Sequence, residues 1–144
     1  HFKKKGKKIM NKIDVFHKAF ENDISHVATM KMPMNKNTDD TLEYIYKRTQ
    51  NINNSWHKDS VGFDMIPKTD TRSTSCGDII KMYNNEYYVV RGTGFTYIDE
   101  KTFKEISKLK DNQLAQYFLD CHRKKDIDLK AIKQTKIKIT KVSE

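Results

Sequence analysis

No apolar run in this chain approaches the roughly 18 residues that would span a bilayer as a helix, and no signal-peptide hydrophobic segment is present. Cysteine is scarce. Cys76 and Cys121 are the only two, and in the absence of a secretion signal both are expected to stay reduced as small core residues. Catalytic and metal motifs are missing too. Gly92-Thr93-Gly94 lacks the third glycine and the strand-to-helix setting of a dinucleotide loop, so it reads as a turn. Ser73, Thr74 and Ser75 are hydroxyl nucleophiles in principle, but no histidine lies near them in sequence. His17 and His26 sit in one predicted hairpin and could face each other, yet no third ligand accompanies them. No metal or cofactor is expected.

What the chain does have is charge. Its 144 residues are 33% charged and 36% apolar, with seven Tyr and seven Phe, a composition that folds rather than stays disordered. That length is one domain by the usual prior. The net charge of +9 lies at the two ends. Residues 1–9 hold five Lys and no acid; residues 123–144 hold eight basic residues against three acids, again +5. The body, 10–122, therefore carries 15 − 16 = −1, which is not the basic face of a dedicated nucleic-acid reader. Residues 1–9 read as a non-native basic leader, a purine-rich ribosome-binding site translated in frame ahead of Met10, with His1 as a tag remnant. The alternative is a genuine polybasic arm.

The clearest structural signal is Arg72 to Ile98, RSTSCGDIIKMYNNEYYVVRGTGFTYI. Small hydroxyl residues lead to a Gly77-Asp78 break. Apolar runs from Ile79, from Tyr87 and from Phe95 then follow, separated by Asn84-Asn85 and by the glycine turn. This predicts a three-stranded meander. Upstream, Ile13, Val15 and His17 alternate with polar neighbours, Glu21-Asn22-Asp23 turns, and the chain returns from Ser25 until Pro33 ends the strand. Residues 37–51 predict a helix capped by Thr38 or Asp40, with Leu42, Ile45, Tyr46 and Thr49 on one face. Trp56, the only tryptophan, reads as a core plug whose indole N–H finds a carbonyl, or else as a partner hot spot.

The segments LEYIYKRTQNINNSW, RSTSCGDII and GTGFTYI resemble a set of small bacteriophage proteins that share an Asn-Ile-x-x-Ser-Trp helix end and an Arg-Ser-x-Ser-x-Gly-Asp entry to a hairpin. The second half is also similar to the YodL-like domain. The resemblance covers residues 11–98, with Cys76 where Val is usual. It implies a phage or mobile-element origin and an accessory role on the host, in the host cytoplasm, and it supplies no catalytic residue.

Residues 99–144 fall outside the resemblance. A capping box at Thr102–Glu105 predicts a short helix with Phe103, Ile106 and Leu109 inward. Asp111 is placed to cap another, with Leu114, Tyr117, Phe118 and Cys121 as its stripe. Arg123, Lys124 and Lys125 close it, and Lys136, Lys138 and Lys141 alternate with apolar residues. That last pattern reads as a guarded edge strand or as a basic ribbon along a phosphate backbone.

The fold expected is α+β: an antiparallel sheet of about five or six short strands with one packed helix and a helical, basic C-terminal appendage. The divisions are a leader at 1–9, a core at 10–98 and an extension at 99–144. The function expected is a phage-encoded, non-enzymatic accessory protein that binds and modulates a host or defence-system protein, anti-CRISPR-like or another takeover inhibitor, with no membrane partner. Two alternatives stay open. One is a nucleic-acid-binding factor using the basic termini. The other is a small-anion or nucleotide binder, in which backbone amides and hydroxyls of Arg72, Ser73, Thr74 and Ser75, beside Asp78, form a nest. In the competing reading Ser75 and Asp78 satisfy their own turn and Arg72 is exposed, so that Arg72→Ala costs under roughly 1 kcal/mol.

Overall fold

The computed structural model describes residues 10–33, 37–114 and 117. The basic leader at 1–9, Phe118, Cys121 and the predicted strand at 136–142 lie outside the described residues, together with Arg123, Lys124, Lys125, Lys136, Lys138 and Lys141.

Six strands form one antiparallel sheet. They are β1 (Met10–His17), β2 (Ser25–Pro33), β3 (Phe63–Met65), β4 (Ile79–Lys81), β5 (Tyr87–Arg91) and β6 (Gly94–Ile98), in the spatial order β3-β2-β1-β4-β5-β6. The chain lays down the β1–β2 hairpin and leaves the sheet for helix α1 (Thr38–Arg48) and a single 3-10 turn at Trp56–Lys58. It returns as β3 on the outer side of β2, crosses to the other side of β1, and finishes as the predicted meander β4-β5-β6.

Alternation decides which residues face which layer. Ile13 and Val15 of β1, Ala28, Met30 and Met32 of β2, Ile80 of β4 and Val90 of β5 form one face, where they pack with Leu42 and Ile45 of α1 and with Trp56. Ile79, Tyr87 and Val89 face the other way, against Ile106 of helix α2 (Glu100–Lys108) and Leu114. Phe103 of α2 stacks on Tyr87 with ring centroids 4.2 Å apart. The second helix covers the far half of the sheet, on the face opposite α1.

Local chemistry explains the element ends. Asn37 caps α1 by accepting from the Asp40 N–H at 2.8 Å, one residue before the Thr38 expected to do so. Asp99 caps α2 by accepting from the Thr102 N–H at 2.8 Å, so the helix starts ahead of the predicted capping box. Residue 111 is likewise already helical, and Gln113 reaches back to accept from the Lys110 N–H at 2.9 Å. Asn85 takes a left-handed φ of 62° in the β4–β5 turn, a conformation Asn tolerates well. A register shift between Val15 and Phe16 turns the hairpin end, so that His26 pairs with Phe16 while His17 pairs with Ser25. His17 is buried and His26 exposed. The two histidines do not face each other, and no group of three metal-ligating residues occurs among the described residues.

Candidate functional site

The meander is entered through a tight turn that needs its glycine. Gly77 has φ +99°, a conformation a side chain would resist. The Asp78 N–H donates to the Ser75 carbonyl at 2.9 Å, and the Ser75 N–H donates back to Asp78 Oδ2 at 2.7 Å. Gly77 N–H and the Asp78 carbonyl bond the two sides of Val90, each at 2.8 Å, which fixes the turn to β5.

This geometry drives the Asp78 carboxylate inward, where it is fully buried. Its Oδ1 accepts from the backbone N–H of Lys18 at 2.7 Å and of Ala19 at 2.9 Å. Arg72 supplies the counter-charge as a fork, Nη1 to Oδ2 at 2.7 Å and Nη2 to Oδ1 at 2.9 Å. The same guanidinium donates to the carbonyls of Ala19 at 2.7 Å and Ser73 at 3.0 Å, and to Glu21 Oε2 at 2.8 Å. Burial by itself would lower the Arg72 pKa, but the bonds to Asp78 and then Glu21, with their negative charge, outweigh it and raise it. The amides of the nest thus hold an anion already, the protein's own carboxylate. The expected exposed Arg72 is corrected to a structural clasp between residues 18–21 and 72–78.

The segments LEYIYKRTQNINNSW and RSTSCGDII meet at this clasp. Trp56 is buried, and its indole N–H donates to the Arg72 carbonyl at 2.9 Å, as a core plug should. Asn51 receives the Trp56 N–H on its Oδ1 at 2.8 Å, its own N–H donates to Ser73 Oγ at 2.8 Å, and its amide donates to the Thr71 carbonyl at 2.9 Å. Gln50 donates to the Thr74 carbonyl at 2.8 Å and the Thr74 N–H to the Thr49 carbonyl at 3.0 Å. Ser75 Oγ donates to the Ser73 carbonyl at 3.2 Å. The hydroxyls are engaged with the protein itself.

Folding also brings the histidine that sequence distance hid. His17 Nε2 lies 2.9 Å from Thr74 Oγ1 and 3.9 Å from Asp78 Oδ2. Hydroxyl, imidazole and carboxylate are together, but the same ring nitrogen faces both partners, so no proton path runs through the ring as nucleophile activation requires. His17 and Thr74 are each 1% exposed. Burial pushes the His17 pKa down to about 4, against the pull of the Asp78 carboxylate, with Arg72 adding to the lowering.

The clasp holds a turn that the sequence pattern did not single out. The Glu21 N–H donates to the Lys18 carbonyl at 3.1 Å, leaving Ala19 and Phe20 at the two central positions. Phe20 has φ 64°, a left-handed conformation that glycine would take freely and a bulky residue resists. The residue is 72% exposed, with the Arg72 guanidinium 5.5 Å from the ring centroid. Lys18 completes the scaffold from beneath. Its buried ammonium donates to the carbonyls of Glu21 at 2.8 Å and Asn22 at 3.1 Å, and to that of Leu109 at the end of α2. Burial lowers its pKa. The signal available in sequence was an aromatic residue set directly before the polar turn Glu21-Asn22-Asp23.

Cys76, expected in the core, is exposed instead, because the turn that sends Asp78 inward sends residue 76 outward. No family model, curated protein or solved structure matches this chain.

Proposed function

We propose that this chain is a phage-encoded, non-enzymatic accessory protein that binds and modulates a host or defence-system protein, anti-CRISPR-like or another takeover inhibitor, with Phe20 as the anchor of its contact surface. The phage assignment rests on the motif resemblance. The contact surface rests on one observation: a phenylalanine held in a strained backbone conformation, with its ring in solvent and its turn clamped by Asp78, Arg72 and Lys18. Within the fold the ring's contact with the Arg72 guanidinium is worth about 0.5–1 kcal/mol at an exposed site, no more than the arrangement costs. An apolar ring gains nothing from water, and the left-handed backbone costs about 1–2 kcal/mol at such a residue. A rigid, pre-positioned aromatic is what a protein interface uses as an anchor, because little freedom remains to be lost on binding.

The small-anion alternative is weakened by the same geometry, since Asp78 occupies the donors that an incoming phosphate would need. Calorimetric titration of nucleotides and cyclic nucleotides is expected to be silent. For the binding role, the full chain serves as bait in a bacterial lysate beside its Phe20→Asn variant. Asn accepts the left-handed conformation and removes the ring, so the variant is expected to melt at or slightly above the wild-type temperature while losing the captured protein. Equal capture by both forms would remove Phe20 from the interface and the reading with it.

A further inference from the structure

The two edges of the sheet differ in how they are protected. β3 is only three residues long and carries the exposed Asp64 at its centre, two ordinary devices against unwanted strand pairing. β6 has neither. Its sequence, Gly-Phe-Thr-Tyr-Ile, contains no charge and no proline, and its register against β5 is unbroken over all five residues. It is the terminal strand of the sheet, with no strand beyond it among the described residues.

The direction of its free groups can be worked out. The Val90 N–H donates to Asp78 and the Val90 carbonyl accepts from Gly77, so the backbone of Val90 points away from β6. Polarity alternates along an antiparallel strand, so Tyr88 also points away, while Arg91, Val89 and Tyr87 point toward β6. Their partners Gly94, Thr96 and Ile98 are the hydrogen-bonded residues of that pair. Phe95 and Tyr97 are left with N–H and C=O directed out of the sheet.

We propose that β6 is a homodimerisation edge, on which a second copy of this chain pairs antiparallel through its own β6 about a two-fold axis at Thr96. In that register Phe95 lies opposite Tyr97 of the second copy and Tyr97 opposite Phe95. Only this register joins both outward-facing residues of each strand to outward-facing residues inside the other strand, which gives four hydrogen bonds. Side chains fit the same alignment. Phe95 and Tyr97 lie on the α1 side of the sheet, near Tyr46 and Tyr88 respectively, so the pairing sets aromatic against aromatic twice. On the α2 side, Ile98 falls opposite Gly94, where a Cβ would meet nothing within 4 Å. Charge is complementary as well: Arg91 flanks the Gly94 end of the strand and Asp99 and Glu100 flank the Ile98 end, ends that the two-fold brings together. Tyr97, 55% exposed in the single chain, gains a second aromatic neighbour beside Tyr88.

Sedimentation equilibrium of the full chain over a concentration series tests the dimer, and two variants test the edge. Tyr97→Pro deletes an N–H that the β5–β6 pair does not use, so the protomer should still fold, with its melting temperature lowered only by the lost contact of the Tyr97 ring with Tyr88. The dimer should weaken roughly 30-fold, the effect of two hydrogen bonds lost across the axis. Thr96→Cys, in a Cys76→Ser/Cys121→Ser background, places two thiols on the axis about 5 Å apart by Cα. It should oxidise to a covalent dimer, whereas Thr93→Cys in the same background should not. The cross-link also guards against a Tyr97→Pro chain that fails to fold. A wild type that stays monomeric across the series overturns the proposal. So does a dimer that Tyr97→Pro leaves unchanged, or equal cross-linking at positions 93 and 96.

Discussion

Asp78 has no exposed surface, so its charge must be answered from within the fold, and Arg72 with three backbone amides answers it. Removing one member of a buried pair leaves the other charge unpaired, which costs about 3–5 kcal/mol. Arg72→Ala is therefore expected to lower the urea midpoint sharply, and Arg72→Lys to restore only part of it, because an ammonium cannot bridge two carboxylate oxygens and three further acceptors. His17 makes stability depend on pH in a definite direction. Its pKa falls from 6.5 to about 4 on folding, so between those values the unfolded chain binds the proton that the folded chain refuses. The contribution is complete above pH 6.5 and declines as the pH is lowered, reaching a loss of about 3 kcal/mol near pH 4. Urea unfolding at pH 7 and pH 4.5 measures it, and His17→Gln should flatten the difference over that window.

Elements with a strong local period were legible in the sequence. The hairpin of β1 and β2, the inward stripe of α1 and the β4-β5-β6 meander fall where alternation and turn residues place them. What escaped depends on partners far along the chain. β3 has three residues, too few for a period, and exists because β2 offers it an edge. The inward stripe of α2, Phe103, Ile106 and Leu109, was legible, but not which side of the sheet it covers, since its packing against Tyr87 and Val89 is decided by the sheet. Of the candidate site, the inward role of Asp78 and the carbonyl partner of Trp56 were readable as turn and plug chemistry. The clasp was not, because Arg72 meets residues 53 and 51 positions away in Ala19 and Glu21. Trp56 joins the end of α1 to that clasp, and Trp56→Ala is expected to cost about 3–5 kcal/mol. A thermal melt that barely moves would show that the plug is dispensable.

At the scale of the whole molecule, the net positive charge lies at the two ends of the sequence. The body from residue 10 to 122 is nearly neutral at −1, and the positive charge belongs to the first nine and last 22 residues. No helix among the described residues is long and apolar enough to cross a membrane. Electrostatic binding to nucleic acid would therefore weaken steeply with salt and show no sequence preference. A chain beginning at Met10 is expected to lose nearly all of it near physiological ionic strength. Filter binding over a salt series, with and without residues 1–9, reads the slope. Tight, sequence-selective binding by the shorter chain would put the nucleic-acid reading ahead of the protein-binding one.

The Lys18–Leu109 bond has a consequence for timing. Phe20 leaves the ribosome ahead of its supports: the amides beneath it wait for Asp78, 60 residues after Lys18, and the ammonium of Lys18 waits for a carbonyl 91 residues later. At roughly 5–20 residues per second of synthesis, those parts arrive several seconds apart. Through that interval the turn has no reason to hold its strained form. The presented ring is thus a property of the finished protein, and the partner proposed above would not engage the nascent chain.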